Sequence, residues 1–254
     1  MVRIAAINYL NTIPFIYGLE TCLAPGSVAL HFCTPSESAK MLREDRADVG
    51  IMPVGAIADL ADPHIVGDYC IGATGPVASV IVVSGRPIGE VREIRLDVDS
   101  RTSVLLTRYL CREKWGIDPQ FVPFDFSAQP LDLSQCYLLI GDKAMRNAAR
   151  FPYVYDLAEE WIALKHLPFV FAAWIANKPL DPAFITSFNQ ALAYGVSHLA
   201  EAVAMDDHQF PRDYACKYLQ ENISFPLDRE KRAGLTEFWR VALEKLTPRE
   251  WVWR

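Results

Sequence analysis

The chain has 254 residues, with 25 Lys and Arg against 31 Asp and Glu for a formal charge of −6, and is 51% hydrophobic. At about 150 residues per domain, one large or two small domains are open. The acidic balance argues against a general nucleic-acid binder, and the apolar content excludes a disordered chain.

Ile4 to Ile7 reads as a short buried strand, and Val28 to Cys33 alternates as a strand does. Thr34-Pro35-Ser36-Glu37 then offers a capping hydroxyl, proline at the first helical position and Glu three residues after the cap, so a helix begins there and ends near Arg46. Ala47 to Met52, closed by Pro53, is a further buried strand, and the β-α-β succession implies parallel strands. Val77 to Val83, Ile94 to Val98 and Tyr137 to Ile140 repeat the pattern, with helices expected after Ser100-Arg101-Thr102-Ser103 and over Lys143 to Arg150. After the apolar Phe169 to Ile175, three helices are expected over Pro182 to Met205, Phe210 to Gln220 and Asp228 to Leu246. The order of elements suits two α/β lobes joined by crossings near Val83 to Gly85 and Ala176 to Pro179.

Met1 to Gly18 lacks the basic, apolar and small-residue succession of a secretory leader, and the apolar run Leu167 to Ala176 is about half of the ~20 residues a membrane span needs. A soluble, cytoplasmic protein without membrane insertion is expected. Cys22, Cys33, Cys70, Cys111, Cys136 and Cys216 show no C-x-x-C spacing, and His31, His64, His166, His198 and His208 form no metal-binding pair, so no metal site and no disulfide framework is expected. Without a Walker sequence, a G-x-S-x-G elbow or a G-x-G-x-x-G after a strand, no cofactor is indicated. Trp239, Trp251 and Trp253 could form a partner surface, although packing is the commoner use.

In open parallel sheets ligands bind beyond the carboxyl ends of strands. Four segments lie there: Asn8-Tyr9-Leu10-Asn11-Thr12, Pro53-Val54-Gly55, Asp99 to Ser103, and Gly141-Asp142. Ser100, Arg101, Thr102 and Ser103 combine hydroxyls and a guanidinium with a helix N-terminus, the makings of an anion site. Ser100 can equally be a simple cap, Asn8 and Asn11 ordinary turn residues, Ser79 a ladder residue and Asp142 a helix cap.

In order and spacing, Asn8-Tyr9-Leu10-Asn11-Thr12-Ile13-Pro14-Phe15 and Asp48-Val49-Gly50-Ile51-Met52-Pro53 resemble the chorismate dehydratase family of the futalosine route to menaquinone. The resemblance continues through Gly75-Pro76-Val77-Ala78-Ser79-Val80, Leu96-Asp97 with Ser100 to Ser103, Leu139-Ile140-Gly141-Asp142, Leu157 to Trp161 and Leu167 to Ala172. It implies a two-lobed, periplasmic-binding-protein-like type II α/β fold with the ligand cleft between lobes. The implied lobes are residues 1–83 with 177–254, and 84–176. The implied reaction is dehydration of chorismate, a dicarboxylate, to 3-[(1-carboxyvinyl)oxy]benzoate, in which aromatisation supplies the driving force.

The resemblance and the residue types together suggest that Asn11 orients the reacting centre. Tyr9, Pro53, Ser79, Ser100, Arg101, Thr102, Ser103, Gly141 and Asp142 would bind substrate. An amide is no base at neutral pH, so the proton acceptor is Asp142 or a substrate carboxylate, with the substrate favoured because few titratable residues lie in these loops. Two other readings share the fold: a non-enzymatic solute-binding protein for small anions, and a sister enzyme similar to 1,4-dihydroxy-6-naphthoate synthase, in which a histidine base is expected.

Overall fold

The computed structural model describes residues 1–205 and 210–243. The first part of the chain forms β1 (Val2–Ile7), α1 (Ile13–Cys22), β2 (Val28–Cys33), α2 (Pro35–Arg43), β3 (Val49–Pro53) and β4 (His64–Ala73). The middle forms β5 (Val80–Ser84), β6 (Glu93–Asp97), α3 (Thr102–Glu113), β7 (Gln120–Phe124), β8 (Cys136–Ile140), α4 (Gly141–Asn147), β9 (Tyr153–Asp156) and α5 (Leu157–Lys165). The remainder is β10 (Phe169–Ala176), α6 (Pro182–Ser197), α7 (Leu199–Ala204), α8 (Arg212–Glu221), β11 (Ser224–Pro226) and α9 (Arg229–Ala242).

Among the described residues eleven strands build two sheets, ordered β11-β4-β10-β3-β1-β2 and β7-β6-β8-β5-β9. In the first, β1 lies parallel to both β2 and β3, so the two strands of the expected β-α-β unit are parallel but β1 separates them. β10 runs antiparallel between β3 and β4. All eight of its residues are buried, which is why it reads as a continuous apolar run: a central strand covered on both faces needs no alternation. In the second sheet β6 is parallel to β7 and β8, whereas β5 is antiparallel to β8 and β9.

Local capping follows the residue chemistry. The Thr34 hydroxyl accepts from Glu37 N–H at 3.4 Å to open α2. Asp156 accepts from the N–H groups of Ala158 (3.0 Å) and Glu159 (3.2 Å) to open α5, and Asp228 accepts from Lys231 N–H (2.9 Å) to open α9. Each cap satisfies N–H groups that a helix cannot pair internally.

Two expectations are corrected. The chain crosses between sheets at residues 74–79 and 166–168, so β5 belongs to the second sheet and β10 to the first; the boundaries placed at 83 and 177 fall one strand too late. Both strands are fully buried and, apart from Ser84, apolar, and nothing in such a run specifies which sheet it joins. The helix expected over 182–205 is divided at His198 (φ −125°, ψ 49°), whose Nδ1 lies 2.8 Å from the Tyr194 carbonyl. Trp239 is buried, and its indole N–H donates to the Val54 carbonyl at 2.9 Å, so this tryptophan packs, the commoner of the two uses weighed for it. Trp251, Trp253, His208 and the end of the helix expected to reach Leu246 lie outside the described residues.

Candidate functional site

The C-terminal ends of β1, β3, β6 and β8 and the segments that follow them line one half-open cavity. Tyr9, Asn11 and Thr12 come from the first, Pro53 from the second, Ser100 to Ser103 from the third, and Ile140 and Gly141 from the fourth. Ile7, Ile71, Val80, Phe171 and Ala172 add apolar wall from both sheets.

Asn11 sits in a 3₁₀ turn (Leu10–Thr12) that is closed on itself. The Thr12 N–H donates to the Tyr9 carbonyl at 3.0 Å, and the Thr12 hydroxyl lies between the Ile7 and Tyr9 carbonyls. The turn leaves the amide of Asn11 on the cavity wall.

At the start of α3 the hydroxyls divide into two kinds. Thr102 Oγ1 donates to the Phe171 carbonyl (2.9 Å) and accepts from Gly55 N–H (3.0 Å), so it ties the second lobe to two strand ends of the first. That approach is close enough that a Cβ on Gly55 would stand 2.9 Å from Thr102 Cα. Ser100 and Ser103 line the cavity, and neither hydroxyl has a hydrogen-bond partner among the described residues. No side chain caps this helix, so Ser100 is not its cap. The first-turn N–H groups, which have no intrahelical partners, and the half-exposed Arg101 guanidinium add positive potential at the same end.

Gly141 meets Tyr9 across the cleft. Its φ of +62° is left-handed, and a Cβ there would stand 2.8 Å from the Tyr9 ring. One residue on, Asp142 Oδ1 accepts from Leu10 N–H at 3.1 Å. Burial raises the Tyr9 hydroxyl well above the usual phenol range, and the carboxylates of Asp99, Asp97 and Asp142 add to the shift, so Tyr9 stays neutral. Lys143 Nζ lies 2.7 Å from Asp97 and 3.0 Å from Asp99 and offsets that negative charge. Burial still raises the Asp97 carboxyl against the opposing pull of Lys143.

The structure thus brings Tyr9, Asn11, Pro53, Ser100, Arg101, Thr102, Ser103 and Gly141 onto one cavity wall. Ser79 and Asp142 stand behind that lining. Ser79 is fully buried, its hydroxyl accepting from Tyr218 at 2.7 Å and its carbonyl from Gly141 N–H at 2.7 Å. Sequence reasoning missed Tyr218, which occupies the apolar face of α8 and looks like any core aromatic in the linear pattern. Among the described residues no histidine lines the cavity, and no group of three His, Cys, Asp or Glu is arranged to hold a metal ion.

A family profile described as menaquinone biosynthesis matches residues 2–244. The chain belongs to that family. A chorismate dehydratase from Thermus thermophilus is 25% identical, with 91% of each chain covered. A structural-genomics protein from Archaeoglobus fulgidus superposes with a TM-score of 0.78 at 14% identity, covering 96% of this chain and 97% of the other. The periplasmic aliphatic sulphonate-binding protein of Escherichia coli superposes with a TM-score of 0.64 at 18% identity, covering 100% of this chain and 92% of the other. The fold is therefore the two-lobed, periplasmic-binding-protein-like type II arrangement, shared by this menaquinone-biosynthesis chain and by binding proteins. Among the described residues no helix is long and apolar enough to cross a membrane.

Proposed function

We propose that this chain is a hydro-lyase that converts chorismate to 3-[(1-carboxyvinyl)oxy]benzoate and water. Family membership and the chorismate dehydratase relative point to this reaction, and one observation on the cavity favours it. Tyr9 and Arg101 are the titratable residues among those lining it, and neither is a base at neutral pH. A site without a protein base suits a reaction in which the substrate brings its own.

In this reading one substrate carboxylate rests on the N-terminus of α3, held by Ser100, Ser103, the first-turn N–H groups and Arg101. The ring lies against Ile71, Val80 and Phe171. The other carboxylate, on the enolpyruvyl arm, takes the proton from the carbon that bears the ether. The neighbouring carbon–oxygen bond then breaks, and the hydroxyl leaves as water with the proton that the carboxyl gives back. Asn11 hydrogen-bonds at this reacting centre. Aromatisation drives the step, so the protein's contribution is orientation of the substrate against the apolar wall. That no histidine lines the cavity among the described residues disfavours the sister-enzyme reading.

The test is incubation of the purified protein with chorismate while the cyclohexadiene absorbance is followed. The absorbance falls catalytically if the proposal holds. Unchanged absorbance with tight binding of another small anion would favour a solute-binding role.

A further inference from the structure

Lys143 stands in the first turn of α4, where the unpaired N–H groups of a helix disfavour a cation. What it faces explains its place. Its Nζ lies 2.7 Å from Asp97 Oδ2, 3.0 Å from Asp99 Oδ2 and 5.6 Å from the centre of the Phe126 ring. The Asp97 side chain is almost completely buried, and those of Lys143 and Asp99 are largely so. Both carboxylates belong to the turn that leads into α3. Asp97 ends β6, its Oδ1 accepts from Asp99 N–H at 3.1 Å, and its carbonyl accepts from Ser100 N–H at 3.0 Å. Asp99 immediately precedes Ser100, which lines the cavity.

Two negative charges thus stand beside the end of the cavity best suited to an anion. Ser100, Ser103, Arg101 and the first-turn N–H groups of α3 attract a carboxylate there, and Asp97 and Asp99 repel it. The turn itself uses Asp97 as an acceptor and not as a charge, because Asp99 N–H donates equally well to an amide oxygen. Lys143 reaches this corner from the segment after β8 and reduces two negative charges to one. Burial of Asp97 limits screening by solvent, so the repulsion and its compensation both act more strongly than on an open surface.

We propose that Lys143 is a positioning residue that sets the affinity of the α3 N-terminus for a substrate carboxylate, by cancelling one of the two negative charges on the turn before Ser100. This inference rests on the proposed dehydration, in which that end of the cavity holds a carboxylate of chorismate. The same carboxylate is bound in the ground state and in the transition state. The contribution of Lys143 therefore belongs to KM and not to kcat.

The test compares wild type, Lys143→Met, Asp97→Asn and the double variant on chorismate by steady-state kinetics. Lys143→Met leaves both carboxylates uncompensated; KM is expected to rise about tenfold while kcat stays within about threefold. Asp97→Asn keeps an acceptor for Asp99 N–H and removes one negative charge, so KM is expected to fall about threefold below wild type. The double variant carries the wild-type net charge at this corner, and its KM is expected to return to within about threefold of wild type. A merely structural strut gives the opposite pattern, in which removing either partner of the ion pair does harm and removing both does not restore binding. If Lys143→Met does not fold, because it strands the buried Asp97 charge, Asp97→Asn and the double variant carry the same contrast. Unchanged KM in an active Lys143→Met, KM not lowered by Asp97→Asn, or a double variant at least tenfold above wild type in KM would overturn the inference alone. Absence of turnover by wild type would overturn the dehydration reading and this inference with it.

Discussion

Asp142 and Asn11 sit one on each side of the cleft in different surroundings. Asp142 lies behind the lining and accepts from Leu10 N–H, a bond between lobes that an amide oxygen also accepts. Asp142→Asn is therefore expected to retain kcat within about threefold, since the geometry survives and, in the proposed reaction, the substrate supplies the base. Near-complete loss of turnover with chorismate binding intact, measured by steady-state kinetics and calorimetry, would make Asp142 the base instead. Asn11 and the Ser100 to Ser103 run were legible in the sequence because strand-end position and side-chain chemistry coincide there. Tyr218 was not, since a buried aromatic in an amphipathic helix carries no sign that its hydroxyl reaches a residue 139 positions away.

At the scale of elements, the cavity depends on close backbone approach. Gly141 satisfies two demands, a left-handed φ of +62° and room for the Tyr9 ring 2.8 Å from its Cβ position. Gly141→Ala meets both the conformational cost, about 1 kcal/mol or more, and the steric one. It is expected to lower kcat/KM for chorismate at least tenfold and to lower the Tm, with activity and thermal unfolding as the readouts. Strands β1, β2, β3, β6 and β8 were legible as short apolar or alternating runs. β4 was not, because Gly67, Asp68 and Gly72 interrupt its pattern. Those glycines let neighbours close in: a Cβ on Gly67 would stand 2.6 Å from that of Trp174. The strand reads as a loop because packing, rather than propensity, holds it.

Across the whole molecule, both crossings between sheets carry a non-glycine residue in left-handed conformation, Ala78 (φ 61°) and His166 (φ 56°). Asp156 Oδ2 accepts from Ala78 N–H at 2.7 Å while Oδ1 caps α5, so one carboxyl joins the first crossing to the helix that leads to the second. The displaced lobe boundaries arise here, because crossings held by tertiary hydrogen bonds leave no composition signal. At the end of α5, Lys165 meets Glu237 of α9 at 2.9 Å, and Arg240 pairs with the same carboxylate at 2.7 Å. The Arg240 and Lys165 hydrogen bonds outweigh burial and bring the Glu237 carboxyl from 4.5 to about 2. A depressed folded-state value means that this stabilisation is complete above pH 4.5 and is lost as pH falls toward about 2. Glu237→Gln is expected to cost about 1–2 kcal/mol at pH 7, allowing for partial solvent screening. The Tm gap between wild type and variant should shrink through that window; a gap independent of pH would show that the pair contributes nothing through ionisation.

The central claim is that a cavity lined without a protein base turns chorismate into an aromatic ether by using the substrate's own carboxylate. Its most direct measurement is product analysis by mass spectrometry and proton NMR after multiple turnovers of the wild-type protein on chorismate alone. The expected result is stoichiometric conversion to 3-[(1-carboxyvinyl)oxy]benzoate with no added metal or cofactor. Chorismate recovered unchanged from a protein that binds it would contradict the claim.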